Sequence, residues 1–273
     1  MKPVRVVHRQ IWRESGLGSG SRSIAEETAV ALTYNGGTYA VMMATPQDLQ
    51  DFAVGFSLNE GVINSALDIE SFDIVPLDDG IELRMWLSKP KADRLQERRR
   101  HIAGPTGCGL CGIDSIAEAM RPAAIIEQGQ QFSSEQIMAA MQNLPMHQKL
   151  NIETRAVHAA AFWDLTGGIV ALREDVGRHN ALDKLSGALA HASVVANNGI
   201  ILLTSRISVE TVQKSAVIGA PVMVSVSAPT ALAVRMADAA GITLAAIARA
   251  DGFEVFTHPY RISSETVVNV ASQ

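Results

Sequence analysis

Two cysteines occur among the 273 residues of this chain, both in one glycine-rich run, Gly107-Cys108-Gly109-Leu110-Cys111-Gly112. Gly104-Pro105-Thr106 precedes them, and the basic cluster Arg98-Arg99-Arg100-His101 lies just upstream. Glycine opens backbone angles closed to other residues and leaves neighbouring sulfurs uncovered. An exposed thiol near positive charge ionises readily, and the thiolate is the reactive form. Sulfur chemistry is therefore the first expectation, and four readings fit the C-x-x-C spacing. A structural zinc site needs about four ligands; with no further cysteine and no histidines at finger spacing, its workable form is a site shared by two subunits. A thioredoxin-like dithiol switch follows a strand, whereas here the preceding segment reads as helix. A persulfide carrier needs an exposed nucleophile on a mobile loop that can visit a donor and an acceptor, and the loop suits that best. The fourth reading is two ordinary reduced thiols in a turn.

Three other segments carry chemistry. Arg173-Glu174-Asp175-Val176-Gly177-Arg178-His179-Asn180 packs charged groups between a strand and a helix. Ligands of α/β sheets bind beyond the carboxyl ends of strands, and the positive groups there suit phosphate. The plain structural alternative has Asn180 capping its helix and Glu174 pairing with Arg178. Thr204-Ser205-Arg206 joins a buried strand to a helix at Ser208, a place for an anion or simply a cap. Ile247-Ala248-Arg249-Ala250-Asp251-Gly252 follows the last parallel strand, where Arg249 could meet a phosphate and Asp251 a base or ribose. His158, alone on a strand, reads as a core histidine, and His258-Pro259 as a turn.

The elements that must hold these segments follow from pattern. Residues 1–20 end in a Gly/Ser-rich stretch, Ser15 to Gly20, expected to be flexible. Thr28–Tyr34 and Tyr39–Ala44 flank Asn35-Gly36-Gly37-Thr38, a hairpin signal. Thr45-Pro46-Gln47-Asp48 opens a helix with Thr45 as its cap and an apolar face of Leu49, Phe52, Ala53 and Phe56. Ile81, Leu83, Met85 and Leu87 alternate with Glu82, Arg84 and Trp86 as in a half-buried strand. Lys91–His101 reads as a helix stopped by Gly104-Pro105, and a second helix opens near Asp114-Ser115, with Ser115 and Glu118 at capping-box spacing. Its N-terminus favours a thiolate in the preceding loop.

The later half predicts strands at Ala156–Trp163 and Gly168–Leu172, then helix 180–190 and strand 199–204. Helix Val209–Ile218, strand Val222–Val226, helix 230–240 and strand Ile242–Ala248 follow, with a further helix over Glu135–Leu144. Alternation after residue 180 implies parallel strands with crossover helices. Three parts are expected: a smaller α+β portion over 1–104, a mobile cysteine loop over 105–112 and an α/β domain over 113–273.

Composition narrows the class. Hydrophobic residues make up 47% and charged residues 19%, enough for a substantial core. A net charge of −5 argues against non-specific nucleic-acid binding. The uncharged stretch Ser215–Val234 reaches the length of a membrane span, about 20 residues. Pro221 and Pro229 interrupt it, so it reads as helix end, turn, buried strand, turn and new helix. No apolar signal region follows Met1-Lys2-Pro3, and a cytoplasmic protein without a membrane anchor is expected.

Several motifs in one order resemble a known family. Thr106–Gly112, Glu174-Asp175-Val176-Gly177-Arg178-His179-Asn180-Ala181-Leu182-Asp183-Lys184, and Ser205-Arg206 leading to Val212-Gln213-Lys214-Ser215-Ala216 are similar to the formate dehydrogenase accessory sulfurtransferases, the FdhD family. Met42–Leu49 and Gly55–Gly61 add to the resemblance, which runs from about residue 22 to 263. It implies an α/β, cytidine-deaminase-like three-layer sandwich with a smaller α+β N-terminal portion, working as a homodimer.

The resemblance also implies a sulfur carrier. Such a protein takes persulfide sulfur from a cysteine desulfurase and passes it to the molybdenum cofactor that carries two guanine dinucleotides, before that cofactor enters formate dehydrogenase. Cys108 would carry the persulfide with Cys111 assisting. Residues 247–252 would bind the nucleotide portion of the cofactor, which arrives as substrate, and Arg178, His179 and Arg206 would hold it at the strand ends; no permanent metal is expected. The chain departs from the family in Ile247 and Gly252, where an aromatic and a basic residue are common. Zinc deaminases need H-x-E and P-C-x-x-C; His158-Ala159-Ala160 lacks the glutamate and Thr106-Gly107 precedes the first cysteine, so deamination is not expected. The alternative is a non-catalytic chaperone that binds the cofactor without touching sulfur.

Overall fold

Asn35 and Gly36 both take positive φ, 50° and 78°, the geometry that turns a hairpin in step with strand twist. β3 (Thr28–Tyr34) and β4 (Gly37–Ala44) accordingly pair antiparallel. The computed structural model describes residues 1–102 and 120–263. They form two compact units, neither a continuous stretch: 1–122, 148–160 and 171–194 make the first, and 123–147, 161–170 and 195 onward the second.

In the first unit, β5 (Ile69–Leu77) and β6 (Gly80–Leu87) join the hairpin in a sheet ordered β4-β3-β6-β5, with β3 and β6 parallel. The alternation read in β6 holds: Ile81, Leu83, Met85 and Leu87 enter the core. They meet Val30, Leu32 and Tyr34 of β3 and Phe52, Ala53 and Phe56 of α1 (Leu49–Asn59) in one cluster. Ser57 donates to the Ala53 carbonyl at 2.6 Å, so the Tyr34 hydroxyl donates to Ser57 at 2.7 Å. Burial pushes the Tyr34 phenol far above its ordinary value.

Thr45 does not cap α1. Asp48 holds that position in a left-handed conformation without a side-chain cap bond, and Thr45 is drawn away by a distant carboxylate described below. α2 (Lys89–Ile102) covers the helix expected over 91–101.

α1 packs against α5 (Arg178–His191) at two glycines. A Cβ on Gly55 would lie 1.7 Å from the Asp183 carbonyl oxygen, and one on Gly187 1.9 Å from that of Asp51. Both obstacles are backbone, so neither can swing aside. Gly55→Ala is expected to cost at least about 1–3 kcal/mol through overpacking, read by urea unfolding. Gly18→Ala, whose nearest atom is 3.9 Å away, should cost less than about 0.5 kcal/mol; equal losses in both would refute the crossing as the cause.

The Gly/Ser-rich segment is not a flexible linker. It forms β2 (Gly16–Ala25), paired along its whole length with β1 (Val4–Arg13). Backbone pairing needs no large side chains, which is why composition misread it. The register puts Arg5, Arg9, Arg13 and Arg22 on one face and Val4, Val6, Trp12 and Leu17 on the other. Arg22 donates to the Thr154 carbonyl at 3.2 Å, at the end of α4 (Lys149–Thr154).

In the second unit, β10 (Gly199–Leu203), α6 (Val209–Ile218), β11 (Val222–Ser225), α7 (Ala231–Ala239) and β12 (Thr243–Arg249) alternate. The three strands are parallel and continuously apolar, as strands buried on both faces must be. The full sheet order is β13-β12-β11-β10-β8-β9, with β8 (His158–Asp164), β9 (Gly168–Asp175) and antiparallel β13 (Gly252–Val255). The turn end of the β8–β9 hairpin belongs to this unit and its open end to the first. β7 (Phe132–Ser133) leads into α3 (Ser134–His147), which runs through Pro145 beyond its expected end.

Arg261, 2% exposed, donates to the carbonyls of Gly241 and Ile126 and ties residues near 126 to the start of β12. The uncharged run 215–234 becomes the end of α6, β11 and the start of α7, with Thr230 capping α7 by accepting from Ala233 N–H at 3.2 Å. No helix among the described residues is long and apolar enough to cross a membrane.

Candidate functional site

Cys108 and Cys111, with the expected loop at 105–112 and the helix start near 114, lie outside the described residues. Among the described residues no cluster of three or more potential metal ligands occurs.

The charged run 173–180 lies in the first unit and is organised by Asp175, which is fully buried. One carboxylate oxygen accepts from the Lys184 ammonium at 2.6 Å and the Thr45 N–H at 3.0 Å. The other accepts from Gly177 N–H at 2.7 Å and Asn180 Nδ2 at 3.0 Å. Lys184, equally buried, also donates to the Thr45 carbonyl at 2.9 Å, and the Thr45 hydroxyl accepts from Val176 N–H at 3.1 Å. A buried ion pair survives only when such bonds replace the lost water.

The structural alternatives read from sequence are therefore corrected. Asn180 does not cap its helix; its amide donates to Asp175 and to the Met43 carbonyl at 2.8 Å, and Gly177 is the N-cap. Glu174 binds the start of α4, accepting from Leu150 and Asn151 N–H at 2.8 Å each. Burial pushes the Glu174 carboxyl up, against the pull of those two bonds.

This scaffold aims the first turn of α5. Arg178 and His179 are its first two residues, and the Arg178 Nε is buried with no hydrogen-bond partner. His158, read from sequence as a core histidine, is half-buried at the start of β8 and close enough to feel both of them. Burial pulls its imidazole below the ordinary value of 6.5; the Arg178 charge adds to this, Asp175 opposes it, and His179 adds a smaller push. A signal for this neighbour was present in the sequence: a hairpin about Leu165-Thr166-Gly167 returns the chain so that residues near 174 lie beside 158.

Arg206 and residues 247–252 lie in the second unit, where the loops after β10, β11 and β12 are joined by hydrogen bonds. Ser225 donates to the Ser205 carbonyl at 2.6 Å and accepts from Ser227 N–H at 3.0 Å. Ile247 N–H reaches the Ser227 carbonyl at 3.4 Å and Thr230 N–H the Ile207 carbonyl at 2.9 Å. Arg206 is exposed, while the Arg249 guanidinium folds back onto the carbonyls of Val226 and Ala248.

Residues 247–252 are less of a loop than expected. Ile247, Ala248 and Arg249 are the last residues of β12, a bulge separates Ala246 from Arg249, and Gly252 pairs with Arg249 as the first residue of β13. Ile247 takes φ +54°, unusual for a β-branched residue. Ala250 and Asp251 form the exposed tip. The middle loop, Ser225 to Pro229, was read only as a turn, yet it bonds to both neighbours.

Comparison with known proteins bears on both parts. A model of the FdhD/NarQ family matches residues 25–263. A protein of Agrobacterium fabrum named sulfur carrier protein FdhD is 50% identical over 259 residues, 94% of this chain and 96% of that one. One of the same name from Cupriavidus necator is 47% identical, covering 93% and 88%. A crystal structure of a formate dehydrogenase accessory protein from Desulfotalea psychrophila superposes with a TM-score of 0.75 at 25% identity, over 95% of this chain and 99% of that one.

Proposed function

This chain belongs to the FdhD/NarQ family, and from that premise we propose that it is a sulfur carrier that loads persulfide sulfur on Cys108 and delivers it to the molybdenum cofactor of formate dehydrogenase. The observation that carries the reading is similarity along 94% of the chain to a protein named as a sulfur carrier, in a sequence whose only two cysteines share one glycine-rich run. In the first step the Cys108 thiolate attacks the outer sulfur of a persulfide on a cysteine desulfurase. One S–S bond forms, the other breaks, and its electron pair leaves with the desulfurase thiolate. In the second, the Cys111 thiolate attacks the Cys108 sulfur and expels hydrosulfide to the metal of the substrate cofactor. That leaves a Cys108–Cys111 disulfide, which a cellular dithiol reduces. A persulfide is more acidic than a thiol and so stays anionic, which suits transfer to a metal.

The substrate's guanine nucleotides are assigned to the loops after β10, β11 and β12, with Arg206 and residues 247–252 in contact. Backbone N–H groups and arginines at the carboxyl ends of parallel strands are the donors that phosphates need. The cytidine-deaminase-like sandwich, the homodimer and cytoplasmic work with a desulfurase belong to the same proposal. The parallel β10–β11–β12 core with its crossover helices supports the sandwich.

The test is intact mass spectrometry after incubation with a cysteine desulfurase and cysteine, without reductant. The wild type should gain one sulfur, about 32 Da, removable by dithiothreitol, and Cys108→Ala should not. Wild-type sulfur loading in Cys108→Ala would remove Cys108 from its role.

A further inference from the structure

The antiparallel ribbon β1–β2 is anchored at its base and open at its tip. At the base, Glu26 N–H donates to the Pro3 carbonyl at 2.9 Å, Arg22 donates to the Thr154 carbonyl, and Arg5 lies 3.9 Å from Glu26. From His8 to Ser21, among the described residues, no hydrogen bond or ion pair leaves the ribbon. Strands of 10 residues reach about 30 Å, and a two-stranded ribbon is marginally stable in water by itself. Trp12 and Leu17 pair across the strands near the tip and are 78% and 59% exposed. Arg9 and Arg13 stand exposed on the opposite face. Residues 2–25 hold Lys2 and four arginines against Glu14 alone, on a chain of net charge −5. Exposed Trp and Arg close together are the residue types that carry most of the binding energy at protein interfaces.

A protein suits this tip better than a lipid surface does. His8, Gln10 and Ser19 share the face of Trp12; in hydrocarbon such groups lose their water at a cost, whereas a protein returns hydrogen bonds. The charge calls for an acidic partner. The unit that bears the ribbon also bears both flanks of the cysteine segment. α2 precedes that segment, and Arg121 beyond it donates to the carbonyl of Asn59, the last residue of α1, at 2.7 Å. A protein that hands sulfur to those cysteines must be held against this unit. We propose that the ribbon tip is the docking arm for the sulfur donor, a cysteine desulfurase. Trp12 and Leu17 enter an apolar pocket of that protein, and Arg9 and Arg13 meet acidic side chains at its rim. The partner's identity rests on the sulfur-carrier reading; the surface does not.

The test pairs binding with sulfur loading in the full-length protein. Biolayer interferometry with the purified cysteine desulfurase of the same organism measures the complex. Intact mass spectrometry follows loading from that desulfurase and, separately, from glutathione persulfide, a donor too small to need an arm. Trp12→Ser, and Arg9→Glu combined with Arg13→Glu, are each expected to weaken the complex about tenfold or more. Loading from limiting desulfurase should slow by a similar factor, while loading from glutathione persulfide stays at the wild-type rate. At about 0.5 M salt the loss in the charge-reversed variant should shrink, because exposed charges are screened, and the loss in Trp12→Ser should persist. Absence of a wild-type complex, or unchanged desulfurase binding in both variants, would overturn the proposal. Equal slowing with both donors would overturn it too, since the ribbon would then act on the cysteines rather than on the donor. Variants that turn a wild-type dimer into a monomer by light scattering, with desulfurase binding intact, would assign the tip to a second copy instead. Wild type that binds the desulfurase through the ribbon yet gains no sulfur from either donor would overturn the sulfur-carrier reading and leave this surface standing.

Discussion

Replacing Lys184 by methionine is expected to lower the stability of the first unit by about 3–5 kcal/mol. Lys184 and Asp175 are both fully buried and 2.6 Å apart. Removing the ammonium leaves a carboxylate in the interior with only Thr45 N–H, Gly177 N–H and the Asn180 amide to stabilise it. The Thr45 carbonyl loses its donor in the same step. Methionine keeps much of the volume against Phe52, whose ring lies 5.7 Å from the Lys184 nitrogen, so the loss reports the charge rather than a cavity. Urea unfolding monitors the change. Adding Asp175→Asn to Lys184→Met should restore part of the loss, because a neutral amide costs less to bury than an unpaired carboxylate. A single-variant loss below about 1 kcal/mol, the range of a surface pair, would refute the burial argument.

In cells, Cys108→Ser is expected to reduce formate dehydrogenase activity to that of a strain lacking the protein, while the purified variant binds a guanosine dinucleotide, P1,P2-diguanosine diphosphate, with wild-type affinity. A serine hydroxyl is close in size to the thiol but forms no persulfide, so sulfur delivery stops while the nucleotide contacts assigned to the second unit are untouched. Retained dehydrogenase activity would favour a chaperone that holds the cofactor without handling sulfur. Cys111→Ser should still load one sulfur on Cys108 but release it slowly, since the attacking thiolate is missing.

Elements with strong local signals were legible in the sequence. Val209–Ile218 is helical over the expected span, α7 falls within the expected 230–240, and Asn35-Gly36 turns its hairpin, because each of these is decided by residues within a few positions of one another. The strand and helix order of the second unit followed from hydrophobic runs separated by turns. The family was legible too, since several motifs recur in one order along nearly the whole chain.

What failed locally was decided at a distance. Ser15 to Gly20 looked like a linker until its pairing with β1 was known, because the ladder is made by backbone groups that composition does not describe. Thr45 has the sequence of a helix cap, yet its N–H goes to Asp175, 130 positions away, where a buried carboxylate gains more from a donor than a helix end open to water does. His158 read as an isolated core residue until the hairpin carried it back to Arg178 and His179. Sequence alone thus determined the family and most element boundaries, which depend on residue type, motif order and short-range periodicity. Tertiary structure decided which charges are buried together, because the free energy of a buried charge depends on partners that only folding brings within hydrogen-bonding reach.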